Sequence, residues 1–182
     1  MTETVLMAGF GGQGVLRSGT LLAQAALAAG YETTWFPSYG PEMRGGTANC
    51  TVVISDDEIG SPIAGVYDTV IVMNQPSLER FESAVAPGGR LLINASMVSA
   101  EPTRSDICVY PLAAVDMAQA MGNPRASNVV MLGAYVRLFE HLAIETVAQV
   151  VAEGFADKGD DMVQLNLAAL RAGAEAVCVP AA

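Results

Sequence analysis

Four glycines within six residues, Gly9, Gly11, Gly12 and Gly14, with Gln13 among them, offer the first chemistry in the chain. An apolar run over residues 5–8 precedes them, and an amphipathic, Ala- and Leu-rich stretch over 15–29 follows. Strand, glycine turn and helix in that order open a βαβ unit. Glycine lets backbone approach a ligand, and the helix start presents N–H groups without partners. The chemistry is anion binding, with the amide of Gln13 as an added donor. Gly9, Gly11 and Gly14 also satisfy G-x-G-x-x-G, and Glu32 lies near where a ribose-binding acid would sit, so a stand-alone NAD or FAD domain is one reading. A turn that needs glycine only for packing is another.

A second stretch, residues 36–49, holds two prolines, three glycines, Arg44 and several small polar side chains. Regular helix and central strand are both excluded there. The stretch reads as a long loop at the end of the second strand, on the same edge of the sheet as the glycine turn. Arg44 is a planar cation suited to phosphate or carboxylate. Ser38, Tyr39 and Asn49 can hydrogen-bond a ligand or a partner chain, and Gly45 and Gly46 leave the backbone open to approach.

The pair Gly9-Phe10-Gly11-Gly12-Gln13-Gly14-Val15 and Ser38-Tyr39-Gly40-Pro41-Glu42-Met43-Arg44-Gly45-Gly46 resembles the gamma subunit of the 2-oxoacid:ferredoxin oxidoreductases. Asn128 with Val129-Val130-Met131-Leu132-Gly133, and Asn166 with Ala168-Ala169 and Gly173, resemble two helical asparagine motifs of that family. The resemblance spans nearly the whole chain. It implies one gamma-type domain over 1–182 in a complex that converts a 2-oxoacid and coenzyme A to acyl-coenzyme A, CO2 and reduced ferredoxin. Alpha and beta subunits, with a ferredoxin-like delta subunit as a further candidate, would carry thiamine diphosphate, Mg and the iron–sulfur clusters. This chain would form the coenzyme A side of the site and the subunit interface. The lack of a fused cluster or thiamine domain points, within the family, to separate subunits of the 2-oxoglutarate or branched-chain type, with 2-oxoglutarate preferred.

The elements that must position these residues read as an α/β layer fold. Strands are expected over 4–8, 31–36, 49–55, 68–73, 90–94 and 106–110, and helices over 14–29 and from 74 to about 85. Residues 87–89, Pro-Gly-Gly, read as a turn. The last third reads as helices over 113–121, 126–142, 144–156 and 162–176. This describes an open, mostly parallel, Rossmann-like sheet with helices on both faces and a helical C-terminal third. Asn128 and Asn166 sit on expected helices, where asparagine is a poor helix former, so they read as caps, interhelical bonds or loop anchors.

Composition narrows the partners. The chain is 182 residues long, 52% hydrophobic and 15% charged, so it can bury a full core and still leave apolar surface for other subunits or, when alone, for self-association. Mean hydropathy is +0.37. A net charge of -10 provides no basic footprint for nucleic acid or an anionic membrane surface. The acidic N-terminus and the absence of a bilayer-length apolar run suggest a cytoplasmic protein. Cys50, Cys108 and Cys178 are far apart and form no C-x-x-C, so they read as reduced, mostly buried thiols. His141, the single histidine, reads as a helix-end residue.

The thiamine diphosphate signature, Gly-Asp-Gly with a later Asn, is missing; the nearest string is Lys158-Gly159-Asp160-Asp161. Carbanion and one-electron chemistry therefore belong to other chains. The purified chain is expected to show no 2-oxoacid oxidation with thiamine diphosphate, coenzyme A and a viologen dye. Turnover by the chain alone, free of other subunits, would contradict this.

Overall fold

Val5, Leu6, Met7 and Ala8 are buried on both faces of the first strand, β1 (Thr2–Phe10), and the sheet grows outward from it. The computed structural model describes residues 1–39 and 46–177. β2 (Glu32–Tyr39) and β3 (Thr47–Ser55) lie to one side of β1, and β4 (Tyr67–Val72), β5 (Val85–Asn94) and β6 (Cys108–Leu112) to the other, in the order β2-β3-β1-β4-β5-β6. Pairing from β1 through β6 on that second side is parallel. β3 is antiparallel to both β1 and β2, so every strand but β3 runs the same way. The open, mostly parallel α/β sheet expected from sequence is present.

Two local expectations change. The stretch 36–49 is a shorter connection than its composition suggests, because β2 continues through Phe36, Pro37 and Ser38 to Tyr39, and β3 starts at Thr47. Pro37 is tolerated because β2 is the outermost strand, where a missing N–H need not break a ladder. Pro87, Gly88 and Gly89 are part of β5 rather than a turn before it, and the pairing with β4 slips between Tyr67 and Thr69 to accommodate them.

One face of the sheet carries α1 (Val15–Ala28) and α4 (Ser127–Phe139), with α3 (Ala114–Ala120), α5 (Ile144–Phe155) and α6 (Asp160–Ala176) joined to the same core. The other face carries α2 (Gln75–Phe81), which packs with Leu6, Val70, Val72 and Ile93. Asn74 starts α2 by accepting the Ser77 N–H at 2.9 Å. At the amino edge, Arg90 reaches Glu3 at 2.6 and 2.7 Å, Thr69 at 2.9 Å and the Leu138 carbonyl at 3.0 Å. That cluster joins β1, β4, β5 and α4. Burial pushes the Glu3 carboxyl above its ordinary range, against the pull of Arg90.

In α4 every residue except Arg137 is buried, as befits a helix enclosed between a sheet and another helix. That enclosure depends on small residues. A Cβ on Gly133 would lie 1.9 Å from the Leu170 carbonyl oxygen, and one on Gly173 would lie 1.8 Å from that of Val130. The backbones of α4 and α6 therefore touch directly. Gly173→Ala is expected to lower stability by about 1–3 kcal/mol through overpacking, read as a shift in urea midpoint. An unchanged midpoint would mean the helices separate freely.

Candidate functional site

The glycine turn is shaped by its own backbone. Gln13 N–H donates to the Phe10 carbonyl at 3.1 Å, which closes a four-residue turn with Gly12 at φ 99. A positive φ at the third turn position requires glycine or asparagine at low cost. Gly14, at φ 76, then leads into α1 with no side-chain cap, so the first-turn N–H groups stay available. Gly11 N–H donates to the Gly46 carbonyl at 2.9 Å and ties the turn to the start of β3.

Gln13 does not extend outward. Its Oε1 accepts from Phe10 N–H at 2.7 Å and from Asn74 Nδ2 at 3.0 Å, and its Nε2 donates to the Met73 carbonyl at 3.2 Å. The amide read from sequence as a ligand donor is engaged between the ends of β1 and β4. Gly9 makes room for it: a Cβ there would lie 2.8 Å from Gln13 Oε1 and 2.7 Å from Val15 Cγ2. Asn128 supports the turn from α4, with Nδ2 3.2 Å from the Gly14 carbonyl and 3.0 Å from Ser18 Oγ. This is the interhelical bond expected of it. Asn166 bonds the Met162 carbonyl one turn earlier in its own helix, at 2.8 Å.

Beyond the turn lies a pocket of about 250 Å³ whose walls include Phe10, Gly12, Val15, Leu16, Arg17 and Ala48. It is largely apolar, with backbone N–H groups and one guanidinium at the rim, a surface suited to an extended, weakly polar chain carrying an anion at one end. Gly11, Gly14 and Gly46 also border it. Arg17 is the residue that sequence reasoning missed; its signal was its place in the first helical turn after the last glycine.

Other expected residues go elsewhere. Ser38 pairs with Asn49, and Asn49 with Ala8, in one cross-strand row. The neighbouring Cys50 faces α1, its Sγ 3.6 Å from the Val15 carbonyl. Strand alternation therefore puts Ser38 and Asn49 on the face away from α1 and the pocket. The backbone of Tyr39 pairs with Ala48 beside the pocket. Arg44 and Gly45 lie outside the described residues.

The dinucleotide reading is not favoured. Glu32 pairs with Ser55 at the far end of β2, about 23 Å along the strand from Tyr39 and the turn. Gln13 also fills the crevice between β1 and β4, where the strand order reverses and such ligands bind.

Among the described residues, no group of three or more His, Cys, Asp or Glu side chains is arranged to hold a metal ion. Lys158-Gly159-Asp160-Asp161 forms the exposed entry to α6. Burial raises the Cys50 thiol to about 12, which makes it inert. Cys108 is exposed, against the expectation of a buried thiol, and Cys178 lies outside the described residues. His141 follows directly after α4, its ring edge against Phe139 at 5.5 Å. No helix of the described residues is long and apolar enough to cross a membrane.

If Gln13 positions the turn, Gln13→Ala leaves the Phe10 N–H and the Met73 carbonyl short of a partner. Stability should then fall by about 1–3 kcal/mol in urea. A ligand-only role predicts an unchanged urea midpoint.

The family model for pyruvate ferredoxin/flavodoxin oxidoreductase matches residues 4–176. Ketoisovalerate oxidoreductase subunit VorA of Methanothermobacter thermautotrophicus is 42% identical over 172 residues, covering 94% of this chain and 35% of the relative. The chain thus spans about a third of the length of that relative. The 2-oxoglutarate synthase subunit KorC of Methanocaldococcus jannaschii is 31% identical over 178 residues, covering 96% of this chain and 94% of the relative. Two solved structures share the fold. The 2-oxoglutarate:ferredoxin oxidoreductase of Magnetococcus marinus, with 2-oxoglutarate, coenzyme A and succinyl-CoA bound, has a TM-score of 0.88 at 27% identity over 97% of this chain and 32% of its own. The keto/oxoacid ferredoxin oxidoreductase gamma subunit of Geobacter sulfurreducens has a TM-score of 0.82 at 27% identity over 96% and 97%. With its glycine turn, asparagine-bridged helices and near full-length match, the chain belongs to the pyruvate ferredoxin/flavodoxin oxidoreductase family.

Proposed function

We propose that this chain is the gamma subunit, a single domain over 1–182, of a cytoplasmic 2-oxoacid:ferredoxin oxidoreductase. The complex couples oxidative decarboxylation of a 2-oxoacid, 2-oxoglutarate or a branched-chain one, to acyl-coenzyme A formation and ferredoxin reduction. The observation that carries the reading is the glycine turn, whose backbone and uncapped helix start border an apolar pocket of about 250 Å³ at the carboxyl edge of the sheet. Coenzyme A joins a long, weakly polar pantetheine arm to a phosphate-rich nucleotide, and such a pocket accepts an arm of that character.

Thiamine diphosphate and the iron–sulfur clusters, held by alpha and beta subunits and by a ferredoxin-like delta subunit where present, supply the carbanion and one-electron chemistry. The work of this chain is to bind, orient and exclude water around coenzyme A. Arg44 and Gly45 in the adjoining connection, with Tyr39, would complete the site or the subunit contact. Trp35 and Phe36 on the outer strand are 39% and 45% exposed, and Ile63 and Val66 are more so, which supports partner subunits covering apolar surface and self-association when the chain is made alone.

The test is reconstitution with and without this chain, using 2-oxoglutarate and ketoisovalerate. Coenzyme A-dependent acyl transfer should require the chain, whereas CO2 release before coenzyme A enters should continue in the remaining subunits. Titration of the chain with NAD or FAD should show no binding. Full acyl transfer in its absence, or tight dinucleotide binding, would overturn the proposal.

A further inference from the structure

The two faces of the sheet are not covered alike at its outer side. α1 packs against β2 and β3 from one face, whereas α2, on the other, packs against β1 and β4. Phe36, Thr51 and Leu6 form one cross-strand row, and Leu6 belongs to the cluster under α2, so Phe36 points to the α2 face. There β2 and β3 are left to the loop over residues 56–66 and to Tyr67, whose Oη accepts from Thr51 Oγ1 at 3.4 Å. That cover is partial. Thr51 and Val53 are buried, but Phe36 stays open, and the loop adds Ile63 at 70% and Val66 at 55% exposure. Trp35 lies on the α1 face, where a Cβ on Gly19 would come 2.9 Å from its Nε1, so exposed aromatic surface straddles the outer edge of β2.

What can cover this surface is set by its edge and its charge. Pro37, next to Phe36, removes an N–H from the outer strand, and a proline on an edge strand blocks further strand pairing. A partner therefore meets side chains and does not extend the sheet. Over residues 31–39 and 46–68, which supply β2, β3, the loop and the start of β4, the charged side chains are Glu32, Asp56, Asp57, Glu58 and Asp68, without a Lys, Arg or His. Asp56 meets the amino terminus at 2.6 Å, and Asp68 accepts from Thr4. Glu32, Asp57 and Glu58 are exposed, and their carboxylates make no ion pair or hydrogen bond with any described residue. Glu32 pairs with Ser55, and Asp56 and Asp57 follow at once, so these acids border the patch about 13 Å along β2 from Phe36. Two copies meeting through this face would bring acidic rims together, because a two-fold contact joins a surface to itself. A second copy is the weaker occupant. The complementary one is a different chain, with apolar side chains at the centre of its contact surface and Lys or Arg around them.

We propose that Phe36, Ile63 and Val66 form the docking face for another subunit of the complex, one that presents an apolar patch rimmed by basic side chains. That the occupant is a subunit rests on the oxidoreductase reading above, whereas the face itself stands on the open apolar side chains and the acids beside them. The self-association expected of the chain alone is displaced when the basic partner is supplied.

The test is sedimentation of the full chain with the purified alpha and beta subunits, read as a dissociation constant at low and at physiological salt. Phe36→Ser and Val66→Ser, both at exposed positions, should each weaken assembly roughly tenfold or more and leave the urea midpoint unchanged. Asp57→Lys combined with Glu58→Lys should weaken assembly at low salt and flatten its salt dependence. Leu27→Ser, which removes a comparably exposed apolar side chain at the end of α1, should change assembly by less than about twofold. Equal weakening by Leu27→Ser would reduce the effect to general surface apolarity and overturn the face. Assembly as tight as the wild type in both Phe36→Ser and Val66→Ser would overturn the face and leave the proposed function standing. Charge reversal that fails to weaken assembly would overturn the basic partner. A wild-type chain that pairs only with itself through Phe36 would make the occupant a second copy and overturn the proposal. Assembly through this face, with coenzyme A-dependent acyl transfer that does not need the chain, would uphold the docking face and sink the proposed function.

Discussion

The carboxyl edge of the sheet rests on one amide folded into space that a side chain at position 9 would occupy. Gln13 Oε1 holds the Phe10 N–H and the amide nitrogen of Asn74, and Asn74 Oδ1 in turn caps α2 through Ser77. Gln13 Nε2 shares the Met73 carbonyl with Asn94 Nδ2, each at 3.2 Å. A chain of side-chain amides thereby joins the ends of β1, β4 and β5 to the start of α2. Such networks strengthen one another at low local dielectric and lose heavily when one member is removed. The glycine turn that borders the pocket is consequently fixed to the sheet.

The opposite edge is built differently and serves a different end. Arg90 directs its donors to Glu3, Thr69 and the Leu138 carbonyl, so the polar cavity of about 450 Å³ beside it offers no guanidinium group free for an anion. Burial disfavours the charged form of Glu3 while Arg90 favours it. A pair of this kind registers the strands more than it stabilises them, because desolvation offsets much of the attraction. The donors of Arg90 are taken up within its own cluster at the amino edge, and the first-turn N–H groups of α1 are left without a side-chain cap at the carboxyl edge. That asymmetry favours the carboxyl edge as the candidate site independently of any motif.

The legible parts of the sequence were those governed by local rules. Four glycines after an apolar run read as the turn from a strand into a helix, and the segment 126–142 read as a helix. The poor fit of Asn128 to helix pointed to a structural role, and the packing of α4 on α1 made it a bridge. What stayed hidden was set by pairing between distant segments. Pro37 looks like a strand terminator until β2 is known to be the outer strand. Ser38 and Asn49 share a loop composition with Arg44, yet one residue of register sends them to the far face of the sheet. Glu32 seemed close to the turn by count, but it opens β2 and so lies at the wrong edge. Arg125 and Lys158 sit more than a hundred residues from Gly12, and only the packing of α4 on α1 and of α6 on α4 brings them to it.

The net charge of the chain sets a long-range field against anions. A body of net charge -10 repels a phosphate-rich ligand at long range. At physiological ionic strength that repulsion fades beyond about 8 Å, whereas charges bordering a concave, partly apolar wall are screened far less. The exposed acids therefore govern solubility and approach, whereas Arg17, Arg125 and Lys158 line one cavity beside the glycine turn. An acidic surface of this kind limits non-specific anion binding, and cations gathered at one cavity lower that repulsion locally.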